Sequence, residues 1–222
     1  MTDLTLTSGF IQTREHNAVL HVTLDRADKL NALTVAMYQD LTAAVQHLAE
    51  RDDLTALLIT AKGRSYCAGN DIQDFLQADP ASRDDGKLSP AMVLIHALMA
   101  LDKPVIMAVQ GNATGIGTTM LLHADLVIAA DDARFHTAFI NLGLVPEAGS
   151  SLILPALIGR QNANRLLLAG DTFSAEEAER MGLIAYRVGV AELEAKAQAL
   201  ADKLAAKTPA AIAMTKQLTR LS

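Results

Sequence analysis

The chain has 222 residues, half of them hydrophobic and 20% charged, with a formal net charge of −6. That apolar share suffices for one sizeable core and excludes a disordered chain; the acidic balance, without any run of Lys and Arg, excludes an electrostatic footprint for nucleic acid. Cys67 stands alone, so no internal disulfide is available; residues 1–9 have no apolar core of a secretory signal, and no stretch reaches the ~20 apolar residues of a membrane span. A cytoplasmic protein with no membrane partner, folded as one domain over 1–222, is the expectation.

In chain order, 10–13 and 19–24 read as two strands with a turn at His16-Asn17; Leu20, Val22 and Leu24 alternate with His21 and Thr23. Thr34 can cap a helix to about Glu50, whose apolar stripe is Tyr38, Leu41, Val45 and Leu48. Residues 54–60 read as a buried strand, Lys62-Gly63-Arg64 as a turn, and 65–86 mostly as loop, with 79–90 the most polar stretch and the one expected to be mobile. A helix over 92–101 leads to a buried strand over 104–109. A loop follows over 111–115, then a short helix over 116–123 and a buried strand over 126–130. Beyond Pro146 the chain is mainly helical, with a helix over 150–158. Ser174-Ala175-Glu176-Glu177 is a capping box, 183–188 a short strand, and 192–207 and 210–221 amphipathic helices parted by Thr208-Pro209. Strands alternating with helices imply an α/β fold with a parallel-rich sheet.

Several chemistries lose support at once. The spacing Gly111, Gly115, Gly117 is not the dinucleotide pattern, and no Lys-Ser/Thr follows it as in a P-loop. No two of the six histidines have helical zinc-site spacing, and no G-x-S-x-G elbow is present. What remains is a pair of glycine loops, each after a strand. Gly111-Asn112-Ala113-Thr114-Gly115-Ile116-Gly117 opens a helix, where free N–H groups and a partial positive charge suit an oxygen that becomes an enolate. Gly69-Asn70, within Ser65-Tyr66-Cys67-Ala68-Gly69-Asn70-Asp71-Ile72, can turn an N–H into a cleft. Either loop by itself also reads as a tight turn with glycines for packing.

Taken together, these loops resemble a known family. Cys67-Ala68-Gly69-Asn70-Asp71-Ile72 is similar to the "C/S-A-G-x-D-L/I" motif of the crotonase (enoyl-CoA hydratase/isomerase) superfamily, and 109–117 to its "V-x-G-x-A-x-G-x-G". Leu24-Asp25-Arg26-Ala27-Asp28-Lys29-Leu30-Asn31-Ala32-Leu33 resembles "L-x-R-P-x-x-x-N-A-L", and Ala124-Asp125-Leu126 resembles "C-D-x". The similarity runs in order from about Phe10 to Leu218. The resemblance implies a crotonase-like ββα spiral to about residue 190 with a helical C-terminal region from about 191; family members continue further than Ser222. It implies an acyl-CoA thioester as substrate, with coenzyme A as part of that substrate and no other cofactor or metal, and a homotrimer or dimer of trimers. Leu166, Leu167, Leu168, Ile212 and Met214 are the apolar side chains expected at subunit contacts.

Carried over residue by residue, the resemblance makes the N–H groups of Asn70 and Ile116 an oxyanion hole within the loops 67–71 and 111–117. It places Lys29, Leu30, Ala68, Gly69, Asp71, Ile72, Gly115 and Phe139 along the substrate. Lys29 also reads as an ordinary solvated charge, Cys67 as a small buried residue and Asp71 as a side chain that fixes its own loop. The two glutamates of the hydratases fall on Thr119 and Phe139, which cannot do that acid/base work, so Thr119→Ala is expected to matter little. Phe135-His136-Thr137-Ala138-Phe139 through Pro146-Glu147-Ala148-Gly149-Ser150-Ser151 is similar to the peroxisomal-type 3,2-enoyl-CoA isomerases, which makes Glu147 the base. Its apolar sequence neighbours Leu142, Leu144, Val145 and Ala148 would raise its pKa if they surround it, with Phe139 and Leu142 expected as pocket walls. Glu147 also reads as a turn carboxylate favourable to the helix over 150–158. His136 is a weaker candidate for the acyl pocket. The expected reaction is isomerisation of 3-enoyl-CoA to 2-enoyl-CoA through a dienolate. The alternatives are another crotonase reaction, such as hydration or thioester hydrolysis, and a non-catalytic acyl-CoA-binding protein.

Overall fold

The structure, a computed structural model, describes residues 4–77 and 88–220. It opens on a hairpin in which β1 (Ile11–His16) pairs antiparallel with β2 (Val19–Leu24), His16 opposite Val19. The turn is Asn17-Ala18, with φ of 51° and 59°, as a two-residue turn with both central residues left-handed requires. It lies one residue later than the sequence indicated, because His16 is the last paired residue of the strand.

Helix α1 (Val35–Glu50) starts where expected: Thr34 Oγ1 accepts the Met37 N–H at 3.2 Å. Its stripe Tyr38, Leu41, Val45, Leu48 is buried. After β3 (Ala56–Ala61) comes α2 (Ile72–Gln77), a helix in the stretch read as loop. Asp71 Oδ1 accepts the N–H of Gln73 at 2.9 Å and starts it; six residues are too few to show a period. The stretch expected to be mobile falls mainly on 78–87, outside the described residues.

Ser89 caps α3 (Pro90–Ala100), which leads into β4 (Val105–Val109). The expected 111–115 loop contains β5 (Asn112–Thr114). The expected 116–123 helix divides into α4 (Ile116–Thr119) and a 3-10 turn over Met120–His123. Then follow β6 (Leu126–Ala130), β7 (Arg134–His136), α5 (Ser150–Ile158), α6 (Arg160–Leu167) and β8 (Thr172–Ser174). The predicted capping box is formed at the start of α7 (Ala175–Met181), and β9 (Tyr186–Val188), α8 (Leu193–Ala205) and α9 (Pro209–Arg220) complete the chain.

Six strands form one sheet in the order β1-β2-β3-β4-β6-β9, parallel except for the first pair; β5, β7 and β8 form a small second sheet. The central parallel strands β3, β4 and β6 are buried on both faces, which is why they read as continuous apolar runs. Leu57, Ile59, Val105 and Met107 point into the larger core with α1 and α3, while Leu58, Ile106, Ala108 and Ile128 pack on α8 through Leu193, Ala197 and Leu200. Leu166 and Leu167, expected at a subunit contact, are 0% and 8% exposed and belong to the protomer's own core. Lys216 ties α9 down: its Nζ reaches Asp125 Oδ2 and the Lys103 carbonyl, each at 2.6 Å. Among the described residues no helix is long and apolar enough to cross a membrane.

Candidate active site

The two glycine loops are stitched together by backbone. Cys67 N–H donates to the Asn112 carbonyl (3.0 Å) and Thr114 N–H to the Cys67 carbonyl (2.9 Å). Two glycines permit this approach. A Cβ on Gly111, whose φ is +56°, would sit 1.9 Å from the Arg64 carbonyl oxygen, and one on Gly117 would sit 2.6 Å from that of Cys67. A Cβ on Gly115 would lie 4.0 Å from Gly69 Cα, so the two turns abut.

The Leu24–Leu33 segment forms the third side. Leu30 and Asn31 both have positive φ, 52° and 55°. Asn31 is fully buried and stabilises that conformation: Oδ1 accepts the Arg26 N–H, and Nδ2 donates to the carbonyls of Lys62 and Ser65. Ala68 N–H donates to Leu30 O, Leu33 N–H to Gly69 O, and Asp71 N–H to Leu33 O. These bonds hold the backbone on both sides of Asn70. The N–H of Asn70 itself, and that of Ile116 at the first position of α4, have no acceptor among the described residues. Tyr38 donates its hydroxyl to Asn70 Oδ1, fixing that side chain against α1.

The structure thus brings Lys29, Leu30, Ala68, Gly69, Asn70, Ile72, Gly115 and Ile116 to one set of linked turns. Lys29 is exposed, Leu30 and Ala68 are half-buried, and Ile72 is 73% exposed. Asp71 fixes the loop, as one reading of it held. Arg26 lies 2.7 Å from its carboxylate and holds that group below the usual range against the opposing effect of burial. Cys67 is fully buried, which pushes its thiol up to about 12 and leaves it inert.

Glu147 precedes a left-handed pair, Ala148 (φ 52°) and Gly149 (φ 70°), that turns the chain into α5. The His123 ring donates to the Ala148 carbonyl at 2.9 Å, and Ser150 N–H and Oγ both donate to the Glu147 carbonyl. The carboxylate does not cap α5, which has no side-chain cap hydrogen bond. Oε1 accepts the Thr119 hydroxyl at 2.5 Å, while Oε2 has no partner among the described residues. Burial raises the Glu147 pKa and the Thr119 hydrogen bond opposes the rise. Burial raises the Tyr38 pKa, and the charges of Cys67 and Glu147 act in the same direction.

Leu142, expected to wall Glu147, is 68% exposed at the end of a short turn, and Phe139 is buried in the main core. His136 works through its backbone, its carbonyl accepting the Gly115 N–H at 2.9 Å. Among the described residues no group of His, Cys, Asp and Glu could hold a metal ion. A separate cleft of about 500 Å³ opens on the other face of the large sheet, beside His21, Leu58 and Leu193, away from all these groups.

Two contacts escaped the sequence. Tyr38 belonged to a helical stripe read as core, which it also is. Thr119 was read as the vacancy left by a glutamate, and its hydrogen bond to a carboxylate 28 residues away was missed.

The family profile described as "Enoyl-CoA hydratase/isomerase" matches residues 14–221. The 1,2-epoxyphenylacetyl-CoA isomerase of Escherichia coli is 37% identical over 94% of this chain and 80% of its own length. Enoyl-CoA delta isomerase 2 of Rattus norvegicus is 33% identical over 96% of this chain and 54% of its own. The crystal structure of an enoyl-CoA hydratase/isomerase from Pseudoalteromonas atlantica superposes with a TM-score of 0.90 at 34% identity, covering 95% of this chain and 82% of that one. Linked glycine loops with two unpartnered N–H groups, on a fold shared at this level, leave one conclusion: the chain belongs to the enoyl-CoA hydratase/isomerase, or crotonase, family of acyl-CoA enzymes.

Proposed function

We propose that the chain isomerises 3-enoyl-CoA to 2-enoyl-CoA, with Glu147 as the single acid/base and the N–H groups of Asn70 and Ile116 as the oxyanion hole. One observation carries this reading: Glu147 is a desolvated carboxylate turned toward α4, the helix that the second glycine loop opens, with one oxygen unengaged among the described residues. The carboxylate takes a proton from C2, and the C2–H electrons pass into the diene and the thioester oxygen. That oxygen is stabilised by the two N–H groups. Glu147 returns the proton at C4, the double bond forms between C2 and C3, and no atom is gained or lost. Hydration would need a second group to activate water, and Thr119 and Phe139 stand where hydratases carry theirs. The name of the rat relative, enoyl-CoA delta isomerase 2, supports the same choice.

A panel of 3-enoyl-CoA and 2-enoyl-CoA esters tests the reading, with Glu147→Gln as control. The expected result is turnover of the 3-enoyl esters that falls ~10²–10⁴-fold in the variant while ester binding survives. Hydration of 2-enoyl esters by the wild-type protein, without isomerisation, would replace this reading by a hydratase; wild-type turnover by Glu147→Gln would remove the base.

A homotrimer, or a pair of trimers, belongs to the same proposal. Of the side chains expected at subunit contacts, Leu168 and Met214 are exposed, at 65% and 58%. A stable monomer by light scattering would count against it.

A further inference from the structure

We propose that Thr119 is a positioning residue for the acid/base step: its hydroxyl pins Oε1 of Glu147, so that Oε2 alone carries the proton from C2 to C4. This inference rests on the assignment of Glu147 as the base and adds a residue to it.

The geometry is specific. Thr119 is fully buried, and its backbone N–H donates to the Gly115 carbonyl at 2.9 Å, so its side chain springs from a fixed helical turn. That turn starts at Ile116, whose N–H is the second donor of the proposed hole. The group that holds the base and the group that holds the oxyanion therefore sit on one rigid unit. The neighbouring threonine shows the contrast: Thr118, equally buried, donates its hydroxyl to the Ala113 carbonyl at 2.6 Å and closes its own turn. Only Thr119 sends its hydroxyl across to Glu147. The far side of Glu147 is fixed too, by the left-handed pair Ala148-Gly149 and the His123 bond to Ala148.

A free carboxyl can rotate and present either oxygen. A pinned one presents a single oxygen, and that suits a reaction in which one proton leaves one carbon and returns to another two bonds away. The proton account closes. The C2–H bond breaks as Oε2–H forms; Oε2–H breaks as C4–H forms; the Thr119 proton stays on its own oxygen. Oε1 accepts that hydroxyl both as a carboxylate oxygen and as the carbonyl oxygen of the neutral acid, so the pin holds throughout. The bond is stronger to the carboxylate, which keeps the base ionised at lower pH than burial alone would allow. Tyr38, Cys67 and His123 are titratable groups of the surrounding elements. Burial raises the pKa of Tyr38 and of Cys67, keeping both neutral, and His123 is engaged with the Ala148 carbonyl.

The test compares Thr119→Val, which keeps the shape and loses the hydroxyl, with Thr119→Ser, which keeps the hydroxyl. Isomerisation of a 3-enoyl-CoA ester is followed across pH. In Thr119→Val, kcat is expected to fall roughly 10-fold to 100-fold with KM little changed. The acid limb of kcat/KM should move to higher pH by on the order of 1 unit. Thr119→Ser should restore both. Infrared titration of the Glu147 carboxyl in the substrate-free protein, identified by its loss in Glu147→Gln, should show the same upward shift in Thr119→Val. Should Val at this site fail to fold, Thr119→Ala is the second variant and carries the same expectations, in place of the small effect expected from the sequence, because the hydroxyl is bonded to Glu147. An unchanged acid limb and unchanged kcat in the hydroxyl-free variant, beside an inactive Glu147→Gln, would overturn the role of Thr119 alone. A fully active Glu147→Gln would overturn the base, and the role of Thr119 in proton transfer with it.

Discussion

Gly117→Ala tests whether the contact between the two glycine loops sets the catalytic geometry. Gly117 has no positive φ, so alanine there costs no backbone strain and the effect is steric. Its Cβ would meet the Cys67 carbonyl oxygen at 2.6 Å and Cys67 Cβ at 2.9 Å, where ordinary contact begins at 3.4 Å. The loops must therefore open by about 0.8 Å at this point. The same carbonyl accepts the Thr114 N–H at 2.9 Å, so the opening also weakens the link that sets one loop against the other. Ile116 would move relative to Asn70, and in the proposed oxyanion hole the two N–H groups would no longer meet one oxygen. A misplacement near 1 Å costs about 10²-fold in rate, so kcat for a 3-enoyl-CoA should fall roughly 10-fold to 100-fold. Overpacking of a well-packed site costs ~1–3 kcal/mol, which lowers Tm by several degrees in a chain of this size. Gly9→Ala is the control. Gly9 has φ +73° with open space around it, so alanine should cost stability through backbone strain and leave kcat alone. The readouts are steady-state isomerisation and thermal unfolding. Wild-type kcat and Tm in Gly117→Ala would refute the argument that this contact sets the hole.

Glu147 also predicts a trade between stability and activity. Burial raises its folded pKa above the unfolded value. The stabilisation linked to its protonation is therefore full below the unfolded pKa and lost as pH rises through the folded one. Glu147→Gln removes that dependence, so the Tm of the variant minus that of the wild type should grow as pH rises from below the unfolded carboxyl pKa through the raised folded one; a constant difference would deny the desolvation. Over the same range wild-type kcat/KM should fall as pH drops through the raised pKa. Arg26 and Asp71 form a mostly buried pair, with side chains 13% and 12% exposed. Arg26→Ala and Asp71→Ala should each cost ~1–3 kcal/mol in urea unfolding, and the double variant less than their sum; strict additivity would show that the contact is not made in solution.

Long elements with a strong pattern were legible in the sequence and short ones were not. The helix from Thr34, the capping box at Ser174 and the helix over 150–158 were read directly, because caps and apolar stripes are local. The strands Arg134–His136 and Thr172–Ser174 have three residues each. Three residues cannot show alternation, and their pairing with Asn112–Thr114 is a tertiary event. The helix Ile72–Gln77 depends on Asp71 as its cap, and Asp71 had already been read as part of a glycine loop.

The site divides in the same way, between backbone and side chain. Its glycines were legible because a position with no room for a Cβ leaves a mark at that position: Gly111 and Gly117 have a carbonyl oxygen where the Cβ would be. Asn31 was quoted within a motif but given no role, since its buried side chain serves Arg26, Lys62 and Ser65, which no spacing rule connects. Thr119 shows the limit most clearly. Read by itself, a threonine in place of a glutamate is a loss of function. Its partner lies 28 residues further along the chain, beyond a strand of each sheet, so only the folded chain shows the hydroxyl on the carboxylate. A family position without its glutamate can therefore support a carboxylate elsewhere: the proposed base lies in the turn before α5, and a threonine of α4 holds one of its oxygens.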